Sequence, residues 1–185
     1  MPFIKTHFPG LLIFEPVVFA DERGHFFESF NQKTFFAEGV EYTWVQDNQS
    51  FSTYGVIRGL HFQNPPKAQT KLVRVLQGKI WDVAVDIRKG SPTYGKSFGI
   101  ELSAENKLQL LIPHGFAHGF SVLSDEAAVL YKCDHLYDKS AEGGIIYNDP
   151  ALNIDWKIPA HQVILSSKDL MCPSLSEATN EFVFQ

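Results

Sequence analysis

Apolar and polar residues alternate with a period of two along most of the chain. The alternation is cleanest at 79–87, where Trp81, Val83, Val85 and Ile87 fall on one face and Asp82 and Asp86 on the other. Shorter strand-like runs occur at 11–14 and 17–19, broken by Pro16, and at 25–30, 42–45, 56–62 and 72–76. Others follow at 97–102, 108–112, 120–123 and 127–132. Turn residues separate them: Asp21-Glu22-Arg23-Gly24, Gly78, Lys89-Gly90-Ser91-Pro92 and Ser124-Asp125-Glu126. Helical signals are few. Asn31 is placed to cap a helix over 31–38 that Gly39 ends, and 165–170 reads as a short capped helix with a loose end beyond Pro173. Strands with turn signals roughly every eight to twelve residues predict a mainly β fold, an antiparallel sandwich or barrel, folded as one domain over residues 1–185.

Composition narrows the possible functions. Of 185 residues, 44% are hydrophobic and 14% aromatic, which excludes disorder. A net charge of −5 excludes a general nucleic-acid binder, so an anionic ligand needs a local basic pocket. Two cysteines, Cys133 and Cys172, with no C-x-x-C, indicate neither a disulfide framework nor a thiolate zinc site. The default setting is reducing and cytoplasmic. No apolar stretch approaches the ~20 residues that span a bilayer, and the N-terminus lacks the pattern of a signal peptide.

Candidate chemistry is concentrated at 56–75, VIRGLHFQNPPKAQTKLVRV. Two strand-like runs flank a loop carrying Pro65 and Pro66, an arrangement expected to bring facing side chains together across a sheet. Arg58, His61 and Lys71 would then share one cavity. A base with a pKa near neutral and a cation at the developing enolate oxygen are what removal of a proton beside a carbonyl requires. Taken alone, the stretch reads more readily as a half-buried histidine with two surface cations.

Pro113-His114-Gly115-Phe116-Ala117-His118 has the P-x-G-x-x-H pattern of the second half-motif of the cupin superfamily, which presents a histidine into a barrel. The first half-motif is reduced to a lone His61, so the third imidazole and the carboxylate of a divalent metal site are missing. Seven segments narrow the resemblance: D-E-R-G (21–24), V-Q-D-N (45–48), R-G-L-H-F-Q (58–63), K-L-V-R (71–74), L-S-A-E-N-K (102–107), P-x-G-F-A-H-G-F (113–120) and L-Y-K (130–132). In this order, over about 4–169, the chain resembles the dTDP-4-dehydrorhamnose 3,5-epimerases. The sequence departs from the family pattern at Thr70, where members carry glycine.

The resemblance implies a cupin-like jelly roll acting as a homodimer without metal or organic cofactor. Its implied substrate is dTDP-4-dehydro-6-deoxy-glucose, whose C4 ketone acidifies C3 and C5. His61 matches the base, Asp169 the carboxylate paired with it, Tyr131 the acid on the opposite face and Lys71 the cation near the ketone oxygen. An imidazole of ordinary pKa (~6.5) accepts a proton at pH 7, and a phenol (~10) keeps its own. Arg23, Arg58 and Lys168 match diphosphate contacts. His118 would sit near the sugar or its phosphate, and Tyr137 would stack on thymine. Glu28, Gln46, Asp47 and Asn48 would hydrogen-bond thymine or deoxyribose, and Glu142 completes the binding set. The 23–28 segment is expected to reach the partner's site across the dimer. Related activities on this scaffold are single-site C3 or C5 epimerases and ketoisomerases. A metal-dependent cupin oxygenase and a non-catalytic sugar-nucleotide binder are the readings from other classes.

Overall fold

Among the described residues, period-two alternation becomes thirteen strands, most of them in two antiparallel sheets. A computed structural model describes residues 2–185. One sheet has six strands, in the order β1 (Phe3–Lys5), β2 (Leu12–Phe14), β10 (Gln109–Ile112), β7 (Lys71–Gln77), β12 (Glu126–Cys133) and β5 (Gln46–Thr53). The second has five, in the order β13 (Glu142–Gly144), β6 (Ile57–Gln63), β11 (Phe116–Val122), β8 (Lys79–Asp86) and β9 (Ser97–Ser103). The strands β3 (Val18–Asp21) and β4 (Gly24–Phe27) form a separate hairpin with an exposed turn at Arg23. This is the mainly β, cupin-like architecture expected from the alternation and the half-motif.

Each sheet has part of its outer face covered, while the outer face of β5 stays exposed. Val73, Val75 and Val129 from the six-stranded sheet pack between the sheets against Ile80, Ala84, Phe116 and Phe120 from the other. The helix α1 (Gln32–Ala37) lays Phe35 on the outer face of the six-stranded sheet, against Phe14, Leu72 and Leu111. Asn31 caps it by accepting from the Lys33 and Thr34 amides, and Gly39 follows with φ +78°, as the sequence predicts. Leu152, Trp156 and Phe182 from the C-terminal segment cover the outer face of the five-stranded sheet.

Several expectations are corrected. Residues 42–45 form no strand; the strand is β5, whose polar sequence QDNQSFST has one face lining the interior and so carries no apolar signal. The strand expected at 120–123 begins at Phe116, which draws the P-x-G-x-x-H histidine into β11. The end beyond Pro173 is not loose. Phe182 is buried against Phe62, and Lys89 anchors the terminus by donating to the Phe182 carbonyl and accepting from the Phe184 amide. The pairing of the 56–62 and 72–76 runs across one sheet is also overturned: β6 and β7 belong to different sheets, and the Pro65–Pro66 loop crosses between them.

Candidate active site

The faces of β8 decide where the chemistry sits. Val83, Val85 and Ile87 belong to the layer under the C-terminal segment, so Asp82 and Asp86 point between the sheets, each 0% exposed. A carboxylate there needs partners. Arg88, Ser91 and Thr93 supply them for Asp86, and His118 Nε2 lies 2.8 Å from Asp82 Oδ1.

His61 and Arg58 both reach the interior from β6, although a regular strand would send residues three apart to opposite faces. The register with β11 shifts between His118 and Phe120, beside Gly59, and this bulge restores Arg58 to the inner side. Only glycine fits at that position. Gly59 has φ +127°, and a Cβ would stand 2.5 Å from the Gly119 Cα.

His61, Lys71 and Tyr131 line two adjoining chambers. One, of about 260 Å³, also has Ser50, Arg58, His118, Lys168 and Asp169 in its wall. The other, of about 270 Å³, has Gln46, Asn48, Tyr137 and Glu142. Larger surface clefts of about 650 and 680 Å³ lie beside the Pro65–Pro66 loop, but neither contains His61, Lys71 or Tyr131. His61 enters from the five-stranded sheet, and Lys71 and Tyr131 from the six-stranded one, so base and phenol occupy opposing walls.

Asp169, on the short helix α2 (Ser167–Leu170), meets His61 Nε2 at 2.6 Å. Its residue is 3% exposed, as a carboxylate paired with the His61 ring requires. Burial pushes its carboxyl up, but hydrogen bonds from His61 and Ser166 outweigh this and hold it below the ordinary carboxylate value. Lys71 has no salt-bridge partner among the described residues. Burial draws its ammonium below the usual lysine value, with Cys133, Asp82 and Glu142 opposing. Burial pushes the Tyr131 phenol up. The site therefore holds a poised cation and a well-protonated phenol beside an oriented imidazole.

The remaining expected residues divide into two groups. Gln46, Asn48 and Tyr137 come together: Gln46 donates to Asn48 Oδ1 at 3.0 Å and accepts from the Tyr137 amide at 2.8 Å. Glu142 accepts from the Tyr137 hydroxyl and pairs with Lys168. Arg58 donates to Ser52 Oγ at 3.0 Å. Asp47 is a correction. As the residue between Gln46 and Asn48 on a strand, it points to the opposite face and pairs with Lys132. Arg23 and Glu28 are exposed on and beside the hairpin and line neither chamber; Arg23 pairs with Asp21. Sequence reasoning missed Ser50, Ser52 and Asp82. Continuing the period-two alternation from Gln46 and Asn48 would have found the two serines. Among the described residues, no three His, Cys, Asp or Glu side chains group as a metal site would require.

Comparison with known proteins agrees with this geometry. The family model for dTDP-4-dehydrorhamnose 3,5-epimerase matches residues 5–177. A dTDP-4-dehydrorhamnose 3,5-epimerase from Shigella flexneri is 58% identical over 171 residues, covering 92% of this chain and 93% of that protein. The dTDP-6-deoxy-D-glucose-3,5-epimerase of Legionella pneumophila, solved in complex with dTDP-4-keto-L-rhamnose, superposes with a TM-score of 0.91 at 49% identity, covering 95% of this chain and 93% of that one. The Elizabethkingia anophelis dTDP-4-dehydrorhamnose 3,5-epimerase gives a TM-score of 0.90 at 52% identity, covering 95% and 96%. With a family model spanning most of its length and relatives of this identity, the chain belongs to the dTDP-4-dehydrorhamnose 3,5-epimerase family.

Proposed function

We propose that the protein converts dTDP-4-dehydro-6-deoxy-α-D-glucose to dTDP-4-dehydro-β-L-rhamnose by inverting C3 and C5. The observation that carries this is the pair of opposing walls: an Asp169-held imidazole on one sheet faces a phenol on the other, with an unpaired ammonium in the same cavity. The Asp169 carboxylate accepts the Nε2–H of His61, which leaves Nδ1 as the basic nitrogen. His61 removes the proton from a carbon beside the C4 ketone. Electron density moves onto the ketone oxygen, where Lys71 stabilises it; one such donor is worth ~3–4 kcal/mol in a dry site. Tyr131 returns a proton from the other face; the imidazolium then releases its proton to solvent, and the phenolate takes one from it. Placed proton transfer contributes ~10²–10⁴ in rate. The chemistry calls on no metal or organic cofactor.

Arg58 and Lys168 are assigned to the diphosphate, and Gln46, Asn48, Tyr137 and Glu142 to the nucleoside end. Lys168 would leave Glu142 for the phosphate. Arg23 and Glu28 are assigned to the second site of a homodimer. The hairpin that carries them stands outside both sheets with Phe19 64% and Phe26 71% exposed, an apolar surface that a second copy would cover. The free thiols of Cys133 and Cys172 suit a reducing cytoplasm.

The test is incubation of metal-stripped protein with the 4-keto sugar nucleotide in D₂O. Deuterium at both C3 and C5 is expected. Label at one carbon would instead make this a single-site epimerase, and no label with loss of substrate only after metal addition would point to metal chemistry.

A further inference from the structure

His118 faces His61 in register across β11 and β6, yet it is held quite differently. Its side chain is 7% exposed and its partner, Asp82, is 0% exposed. Asp82 comes from the neighbouring strand β8, where His118 pairs with Ala84 and Phe120 with Asp82, so the carboxylate approaches on the diagonal of the same face. Asp82 Oδ1 lies 2.8 Å from His118 Nε2, and Oδ2 is buried with no hydrogen-bond partner among the described residues. As a carboxylate, Asp82 accepts from Nε2–H, and this selects the tautomer whose Nδ1 is a lone pair. Nδ1 makes no hydrogen bond to any described residue, while the ring lines the chamber containing Arg58, Lys71 and Lys168. Burial favours the neutral ring, the neighbouring charge of Lys71 does the same, and Asp82 opposes them.

A neutral acceptor suits one part of a sugar nucleotide and not another. Diphosphate oxygens only accept at neutral pH, so they would meet the Nδ1 lone pair unfavourably, whereas a hydroxyl can donate to it. We propose that Asp82 is a positioning residue that fixes His118 as an acceptor, and that His118 Nδ1 receives a hydrogen bond from a hydroxyl of the hexose rather than contacting the diphosphate. This rests on the sugar-nucleotide reading above. It makes the pair a determinant of selectivity for the hexose.

The experiment combines ¹⁵N NMR of the wild-type histidine rings at pH 7 with calorimetric titration of dTDP and dTDP-glucose into wild type, His118→Phe and Asp82→Asn. His118 should show a neutral ring protonated at Nε2. His118→Phe should weaken dTDP-glucose about tenfold, the scale of one good hydrogen bond, and leave dTDP within about twofold. Asp82→Asn, whose amide can donate to Nε2 and so turn Nδ1 into a donor, should reproduce that selective loss. A doubly protonated His118, an equal loss for both nucleotides, or no loss for either in His118→Phe overturns the inference. The NMR measurement and His118→Phe decide it even where Asp82→Asn does not fold. Wild-type protein that binds neither nucleotide would sink the sugar-nucleotide reading itself.

Discussion

His61 and Asp169 lie 108 residues apart in the chain and 2.6 Å apart in space. One is on a sheet strand; the other is on a four-residue helix, capped by Ser166, within the segment that wraps the outside of that sheet. The helix is held to the body through its C-terminal continuation, where Ile146 donates to the Pro173 carbonyl. The pair depends on this docking, because nothing local brings the two residues together.

Asp169→Asn therefore leaves the fold intact and releases the imidazole from its tautomer and orientation. Turnover should fall by roughly 10²–10⁴-fold with little change in dTDP affinity. Steady-state kinetics beside nucleotide titration separates the two effects. A parallel loss of nucleotide affinity would mean that the carboxylate supports the pocket rather than the base.

Tyr131→Phe removes the acid and keeps the base. Solvent deuterium should still enter the substrate through His61, while formation of inverted product drops by about 10²–10⁴-fold. Abolished exchange would show that the phenol is needed before the first proton leaves.

Lys71 and Tyr131, half-buried in the six-stranded sheet, move apart in pKa. Burial lowers Lys71 from its ordinary 10.5 and raises Tyr131 from its ordinary 10.0. A lowered lysine value means the ammonium is lost at lower pH, and a raised phenol value means its proton persists to higher pH. The alkaline limb of kcat/KM should thus report Lys71 and fall below pH 10.5. The residual exchange activity of Tyr131→Phe should keep that limb; its disappearance would assign the limb to the phenol.

Alternation along β5 separates neighbours by function. Gln46→Ala and Asn48→Ala should each raise KM by about two- to tenfold, the range for one net hydrogen bond. Asp47→Ala should change KM less than twofold, since its side chain faces Lys132 on the other side. An Asp47 effect as large as that of Asn48 would contradict the assigned faces.

Asp86 is a pure stability group. Burial raises its carboxyl, and bonds from Arg88, Ser91 and Thr93 outweigh that to lower it. Because the folded value lies below the unfolded ~3.9, its stabilisation is fully present above about pH 4 and is lost as pH falls further. Asp86→Ala leaves the Arg88 guanidinium, 12% exposed, without its partner. Urea unfolding at pH 7 should show a loss of about 3–5 kcal/mol, and the deficit against wild type should shrink as pH falls below 4.

Much of this protein is legible without coordinates. The β class, the capped helix behind Asn31, and the order of motifs that places the chain in its family all reside in local alternation and local residue chemistry. The sequence also points to His61 and Lys71 by their place in the 56–75 stretch, and to Tyr131 through the family resemblance alone. What tertiary packing decided is orientation. Alternation says that the two faces of β8 differ, but with both faces buried it cannot say that Asp82 and Asp86 look inward. His61 and Lys71 seemed to be cross-strand neighbours and are instead on opposing sheets, since loop 64–70 crosses between layers. Arg58 reaches the cavity through a bulge at Gly59, and Asp169 through the docking of the short helix predicted at 165–170. Such contacts depend on which apolar surfaces cover each other across the whole chain, and a period of two carries no record of that.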